Sequence, residues 1–117
     1  MAHNEDFLKL AAAARERICE ITPQEALHRQ AEGALLVDVR DSDELAATPA
    51  LAGAVNISRG RLELKIGEAV PDKHAPVVLY CGAGNRGALA ADSLRQMGYT
   101  NVVNVAGGLN AFPREAS

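Results

Sequence analysis

The stretch Val77-Val78-Leu79-Tyr80-Cys81-Gly82-Ala83-Gly84-Asn85-Arg86-Gly87 constrains the fold of this chain more than any other. Its first part is short, apolar and rich in β-branched residues. It follows Pro76 and reads as a buried strand. A loop with three glycines, an Asn and an Arg comes next, and Ala88-Leu89-Ala90-Ala91 carries a helix onward. Glycine tolerates backbone angles that side chains forbid, so Gly82, Gly84 and Gly87 allow a tight coil. Such a coil turns successive backbone N–H groups inward, and the new helix adds its positive end. The result is a concave ring of donors, an anion nest. Cys81 opens it, so the anion in view is the cysteine's own sulfur.

Short strands and helices alternate along the rest of the chain. Asn4 to Arg17 reads as a helix, with Asn4 as N-cap, Glu5 and Asp6 in the first turn, and Phe7, Leu8, Leu10, Ala11 and Ala14 as its apolar face. Ile18 to Ile21 reads as a short strand. Thr22-Pro23-Gln24-Glu25 starts a second helix, with Thr22 capping, Pro23 at the first helical position and Glu25 completing a capping box. That helix ends at Gly33. Ala34 to Arg40 is the clearest strand, apolar enough to be covered on both faces. Asp41 to Ala47 reads as a short capped helix, and Ala54 to Ile57 as another strand. Ser58 to Gly67 is a helical turn or an amphipathic loop. Gly87 to Met97 is a helix closed by Gly98, Val102 to Val105 is the last strand, and Gly107-Gly108 is a tight turn before a short helix. The pattern implies an α/β fold: a central, mostly parallel five-stranded sheet with helices on both faces. Ligands then bind beyond the carboxyl ends of the strands, which is where Cys81 falls.

Composition narrows the function. The chain has 117 residues, enough for one domain with a core. Its net charge is −3, it has no basic tract, and it has only four aromatic residues, which argues against a nucleic-acid partner. No run approaches the roughly 18 apolar residues that span a bilayer, and the N-terminus lacks the apolar segment of a secretory signal, so no membrane partner is expected. Cys19 and Cys81 form no CxxC pair, so neither a zinc knuckle nor a thioredoxin-type dithiol is expected, and their spacing leaves a disulfide between them open. No metal and no cofactor are expected. A reduced thiol in a glycine nest suits a reducing, cytoplasmic location.

Several residues admit two readings. Cys19 has no nearby His, Lys or glycine nest and is expected as a small buried core residue. His28 is expected on a solvated helix surface. Asp38 and Arg40 share a strand face and are expected as a structural ion pair. Arg59 and Arg61 are candidate contacts for an anionic substrate, against the alternative of a solvated face. His74 lies before the buried strand, on the side away from the Cys81 loop, and is not paired with the sulfur.

The reactive form of a cysteine is the thiolate, and a free thiol titrates near a pKa of roughly 8.5. A helix N-terminus and the Arg86 guanidinium both favour the charged form. The same donors suit a terminal S–S⁻ anion once Cys81 has accepted a sulfur atom. Transfer of sulfane sulfur moves no obligatory proton, so no general base is needed.

These residues resemble the rhodanese family of single-domain sulfurtransferases. Leu36-Val37-Asp38-Val39-Arg40 with Asp43-Glu44-Leu45 and Gly53-Ala54-Val55-Asn56-Ile57 is similar to its first signature. Arg59-Gly60 with Leu62-Glu63 resembles a segment of its single-domain members. Cys81 to Arg86 resembles the six-residue active loop, and Gly107-Gly108-Leu109-Asn110-Ala111-Phe112 the C-terminal signature, with Phe where the family often has Trp. The match runs from about Ile18 to Pro113. Thr48-Pro49-Ala50-Leu51-Ala52 departs from it, lacking the family's His and moving its Pro. The resemblance implies a rhodanese-like domain over 18–117; the N-terminal helix in 1–17 lies outside it and is expected to pack on the core or meet a partner.

The resemblance also implies the chemistry. Cys81 is the nucleophile and persulfide carrier. Gly82, Ala83, Gly84, Asn85, Arg86 and Gly87 supply backbone donors, and Arg86 adds charge. A small sulfur donor (thiosulfate or a persulfide) loads Cys81, and cyanide, a thiol or a protein cysteine accepts the sulfur. Two alternatives stand beside this. One is a persulfide carrier or interaction module without turnover. The other is a phosphatase-like or arsenate-reducing relative, whose loop is one residue longer than the four residues between Cys81 and Arg86.

Overall fold

A computed structural model describes residues 4–113. The ends of the expected segments 1–17 and 18–117, residues 1–3 and 114–117, lie outside the described residues. The chain runs α1 (Glu5–Arg15), β1 (Cys19–Ile21), α2 (Pro23–Ala31), β2 (Leu35–Asp38), α3 (Glu44–Ala47), β3 (Val55–Asn56), α4 (Leu62–Ala69), β4 (Val77–Tyr80), α5 (Asn85–Gln96) and β5 (Val102–Val105). Short 3-10 turns at Arg59–Arg61 and Gly108–Ala111 precede α4 and follow β5. The five strands form one sheet in the order β1-β5-β4-β2-β3, and every pairing is parallel. The expected α/β architecture is therefore present, with a wholly parallel sheet.

Strand alternation divides the core into two layers. Val37, Val39, Val77 and Leu79 face Leu62, Ile66, Ala90, Ala91 and Leu94 of α4 and α5. Leu36, Val78, Tyr80, Val103 and Val105 face the opposite way, toward Ala26 of α2 and Phe112. The same alternation carries Cys81 onto the α5 side, one residue past the end of the central strand β4. The sheet thus aims the thiol at the helix that follows it.

Four local expectations are corrected. Cys19 is exposed rather than buried, because β1 is an edge strand whose first two residues are open to solvent. The apolar face of α1 is narrower than its composition suggests. Ala11 and Ala14 are fully buried against α5, whereas Leu8 and Leu10 stay 45% and 61% exposed. Small side chains let the two helices approach closely, which leaves the leucines beside the contact rather than in it. The helix expected over Asp41 to Ala47 shrinks to Glu44–Ala47, and its N-cap Asp43, itself in a helical conformation, makes no side-chain cap; the Asp41 amide donates to Glu44 Oε2 at 2.8 Å. Finally, α5 begins at Asn85, two residues earlier than expected, so the end of the glycine loop is already helix.

Other elements form for the reasons read from the sequence. The Asn4 side chain accepts from the Phe7 amide at 2.7 Å, and Thr22 Oγ1 accepts from the Glu25 amide at 3.1 Å. Gly33 closes α2 with φ +108°, a left-handed angle that favours glycine. The open choice at Ser58 to Gly67 resolves as a turn and helix, with Leu62 and Ile66 buried one turn apart and Leu64 77% exposed.

Candidate active site

Cys81 Sγ sits in the mouth of α5. It accepts hydrogen bonds from the Gly84 amide at 3.1 Å and the Gly87 amide at 3.2 Å. Gly84 is the N-cap of α5, with φ +106°, and makes no side-chain cap. A capping Ser or Asp would normally satisfy the amide three positions into the helix. Here the cysteine sulfur takes that donor, so the Cys81 thiol itself caps the helix. A polar side chain at Gly84 would compete for the same amides, and any side chain would meet the Gly107 amide at 3.1 Å. The sulfur also lies at the positive end of the 12-residue helix α5, where an anion is stabilised by roughly 0.3–1 kcal/mol, and by up to about 2 kcal/mol when partly buried.

The three loop glycines have different reasons. Only Gly84 has a positive φ. Gly87 is glycine for space, since a Cβ there would come within 2.1 Å of Asn104 Oδ1. A Cβ on Gly82 would touch the Arg86 guanidinium at 3.4 Å. Ala83 lies between them, and Asn85 and Arg86 form the first turn of α5.

The Arg86 guanidinium is engaged by a carboxylate that sequence reasoning did not assign to the site. Arg86 Nη1 donates to Glu44 Oε2 at 2.6 Å and Nη2 to Oε1 at 3.0 Å, a bidentate pair. Glu44 is held below its ordinary pKa mainly by Arg86, and Arg86 is raised above its own mainly by Glu44. Arg86 is thus oriented by α3 beside the loop, and part of its charge is neutralised there. Glu44 was visible only as one of the acids after Asp38-Val39-Arg40; an arginine in a loop gives no hint of which carboxylate will meet it.

A second clamp comes from the end of the chain. The Leu109 amide donates to Cys81 O at 2.7 Å and the Asn110 amide to Gly82 O at 3.0 Å. Gly108 packs so closely that a Cβ would lie 2.5 Å from Cys81 O. The Gly107-Gly108 turn therefore fixes the back of the loop while α5 amides hold its front.

Asp38 and Arg40 form the floor beside the loop. Arg40 Nη2 donates to Asp38 Oδ2 at 2.8 Å, its amide donates to Oδ1 at 3.0 Å, and the two residues are 4% and 0% exposed. Arg40 is raised above its usual pKa mainly by Asp38. Asn56 Nδ2 bonds the carbonyls of both residues at 2.9 Å and stitches β3 to this turn. Arg59 pairs with Glu63 at 2.8 Å. Arg61 is exposed and lines a groove of about 580 Å³ with Asp41, Ser42, Ser58 and Lys65; neither Cys81 nor Arg86 lines it. His74 bonds Thr100 at 2.8 Å, before the start of β4, and His28 is exposed beside Glu32. Neither histidine reaches the sulfur. Both cysteines are free thiols. Among the described residues no cluster of His, Cys, Asp and Glu is arranged to hold a metal ion.

A family model described as the rhodanese-like domain matches residues 22–115. The thiosulfate sulfurtransferase PspE of Escherichia coli (strain K12) is 47% identical over 64 residues, which are 53% of this chain and 61% of PspE. The chain thus spans less than two thirds of that relative. The thiosulfate sulfurtransferase GlpE of Pseudomonas entomophila (strain L48) is 36% identical over 92 residues, 79% of this chain and 82% of GlpE. A solved structure from Rhodopseudomonas palustris CGA009, of a protein of unknown function described as a possible tyrosine phosphatase, superposes with TM-score 0.80 at 26% identity. It covers 95% of this chain and 91% of its own.

Proposed function

Since this chain belongs to the rhodanese family, we propose that it is a thiosulfate sulfurtransferase-type enzyme working through a Cys81 persulfide. The carrying observation is the sulfur held by the Gly84 and Gly87 amides at the start of α5. The Cys81 thiolate attacks the outer sulfur of thiosulfate. A new S–S bond forms, the bond to the sulfite sulfur breaks, and sulfite leaves with its electron pair. The product is Cys81–S–S⁻. Cyanide, a thiolate or a protein cysteine then attacks the outer sulfur of the persulfide, and the Cys81 thiolate is regenerated. Charge balances at each step, and no proton transfer is required.

The burial of Cys81, 1% exposed, fits a carrier of this kind. The cysteine sulfur is shielded, while a persulfide places its reactive sulfur one atom further out. Amide donors then stabilise the anion without a side-chain base. Arg86 contributes charge, moderated by Glu44. Arg61 and the groove it lines offer room for part of a larger donor or acceptor. A reducing compartment, the cytoplasm, suits chemistry that needs a free Cys81 thiolate. Among the described residues no helix is long and apolar enough to cross a membrane.

The phosphatase reading is disfavoured by loop size. Four residues separate Cys81 from Arg86, and the cup closes directly on a single sulfur atom. Intact mass after incubation with thiosulfate tests the proposal. One added sulfur atom is expected, released by cyanide and absent from Cys81→Ser. Phosphatase turnover with no sulfur uptake would overturn it. Fast loading from a protein persulfide donor with little turnover of thiosulfate would assign the chain to the carrier class instead.

A further inference from the structure

We propose that Arg15, Glu20 and Asn104 act as positioning residues for the sulfur cup, so that α1 and β1 are part of the reacting unit. The proposal rests on the reading of Cys81 as the reacting sulfur. Residues 15 and 20 precede the stretch matched by the family model.

The links can be followed outward from the sulfur. Both residues whose amides hold Sγ, Gly84 and Gly87, touch the same side chain. Asn104 Nδ2 donates to Gly84 O at 3.2 Å, and Asn104 Oδ1 lies so close to Gly87 that a Cβ there would be 2.1 Å away. Asn104 is fully buried in β5, and its Oδ1 has no hydrogen-bond partner among the described residues. A buried unpaired acceptor is destabilising. An apolar side chain would avoid that cost, so the amide is placed for what its other end does. Asn104 sets the distance between the two glycines, and hence the span of the two donors on the sulfur.

Glu20 determines which way the Asn104 amide points. Its Oε2 accepts from Asn104 Nδ2 at 2.8 Å. A flipped amide would bring Oδ1 against the carboxylate, two acceptors face to face. Arg15 Nε in turn holds Glu20 Oε2 at 3.3 Å. Arg15 Nη2 is also packed against Gly84, where a Cβ would meet it at 3.3 Å. The charged groups around the cup are then Arg86 with Glu44 and Asp41 on one side, the Asp38–Arg40 pair beside them, and Arg15 with Glu20 on the other.

The test uses the full chain and two readouts. One is the rate of alkylation of Cys81 by iodoacetamide as a function of pH, resolved from Cys19 by peptide mass. The other is sulfur loading from thiosulfate. Glu20→Ala and Glu20→Gln both remove a negative charge, which alone favours the thiolate; Glu20→Ala should nevertheless be alkylated about threefold or more slowly than Glu20→Gln near neutral pH, and should have a lower kcat for loading with little change in KM. Glu20→Gln, which keeps an acceptor for Asn104, should restore most of both. Arg15→Ala should act in the same direction more weakly, with Arg15→Lys close to the parent chain. Asn104→Leu should give the largest effect; if it does not fold, the partly exposed Glu20 carries the test alone. A folded Glu20→Ala that is alkylated and loaded as fast as Glu20→Gln overturns the relay. Should the parent chain take up no sulfur, the proposed function fails, and alkylation still decides the relay.

Discussion

At the scale of single residues, the cup depends on contacts that leave no room for ordinary variation. Gly87 shows this best. Its φ is not left-handed, so alanine has no backbone penalty, yet the added Cβ would collide with a buried amide that cannot retreat into solvent. Gly87→Ala should therefore destabilise the fold by about 1–3 kcal/mol through overpacking, read from urea unfolding. It should also slow sulfur loading more than Gly98→Ala does. Gly98 meets nothing within 4 Å, but it has φ +99°, so it controls for strain without the collision. Equal loading rates in the two variants would show that the Asn104 contact is irrelevant to the cup. Glu44 poses a different question. Its side chain is 36% exposed, so the pair with Arg86 is worth about 1 kcal/mol or less to the fold. Under the proposed sulfur transfer, its stronger effect is on the charge that an anionic donor meets. Glu44→Gln should leave stability within about 1 kcal/mol and lower KM for thiosulfate, with a steeper dependence on ionic strength. A raised KM would mean that Arg86 needs Glu44 for its orientation more than it suffers from its charge.

At the scale of elements, α1 and α5 show how close packing selects small residues over large ones. Ala11 and Ala14 are 0% exposed between the helices, while Leu10 points away. Ala14→Leu should cost about 1–3 kcal/mol, whereas Leu10→Ala should stay within roughly 0.5 kcal/mol, both by thermal unfolding. The reverse order would place the leucines in the contact. This element also marks where sequence reading stops. The strand-to-glycine-to-helix pattern at Val77 to Gly87 is local: period, β-branching and glycine content are all contained in a few residues, so the fold class and the position of Cys81 could be read directly. The helix Asn4 to Arg17 was equally legible as a helix. Its buried face was not, because Leu8 and Leu10 are more apolar than the alanines and only the partner helix reveals which side is used. Glu44 on Arg86, and Asn104 beneath Gly84 and Gly87, join residues 42 and about 20 positions apart. Neither contact leaves a periodic trace. Cys19 was misplaced for a similar reason, since strand order decides which strand becomes an edge.

At the scale of the whole molecule, the N-terminal segment is fastened to the sheet's helical layer by one buried carboxylate. Asp92 of α5 is 5% exposed and accepts from Arg17 Nε at 3.0 Å and Nη2 at 2.8 Å. Arg95 adds a further contact at 3.1 Å. Arg17, followed by Arg95, pulls Asp92 down from its ordinary 3.8 to about 2, against the opposing effect of burial. A carboxylate depressed in the folded state stabilises fully above its unfolded pKa, and that contribution is lost as pH falls through the folded value. The relevant window is therefore between about 4 and about 2, and neutral-pH stability is independent of small pH changes on this account. Arg17→Ala removes the largest cause of the depression and leaves a buried carboxylate with Arg95 and Gln96 as neighbours. The variant should unfold at a higher pH on acidification, as followed by circular dichroism, and should be less stable than the parent chain at neutral pH. Asp92→Asn should flatten the acid dependence in both backgrounds, since the titrating group is gone. If Arg17→Ala left the acid midpoint unmoved while Asp92→Asn shifted it, Arg95 alone would be setting the charge of Asp92. The tie between the N-terminal segment and α5 would then rest on the packed alanines.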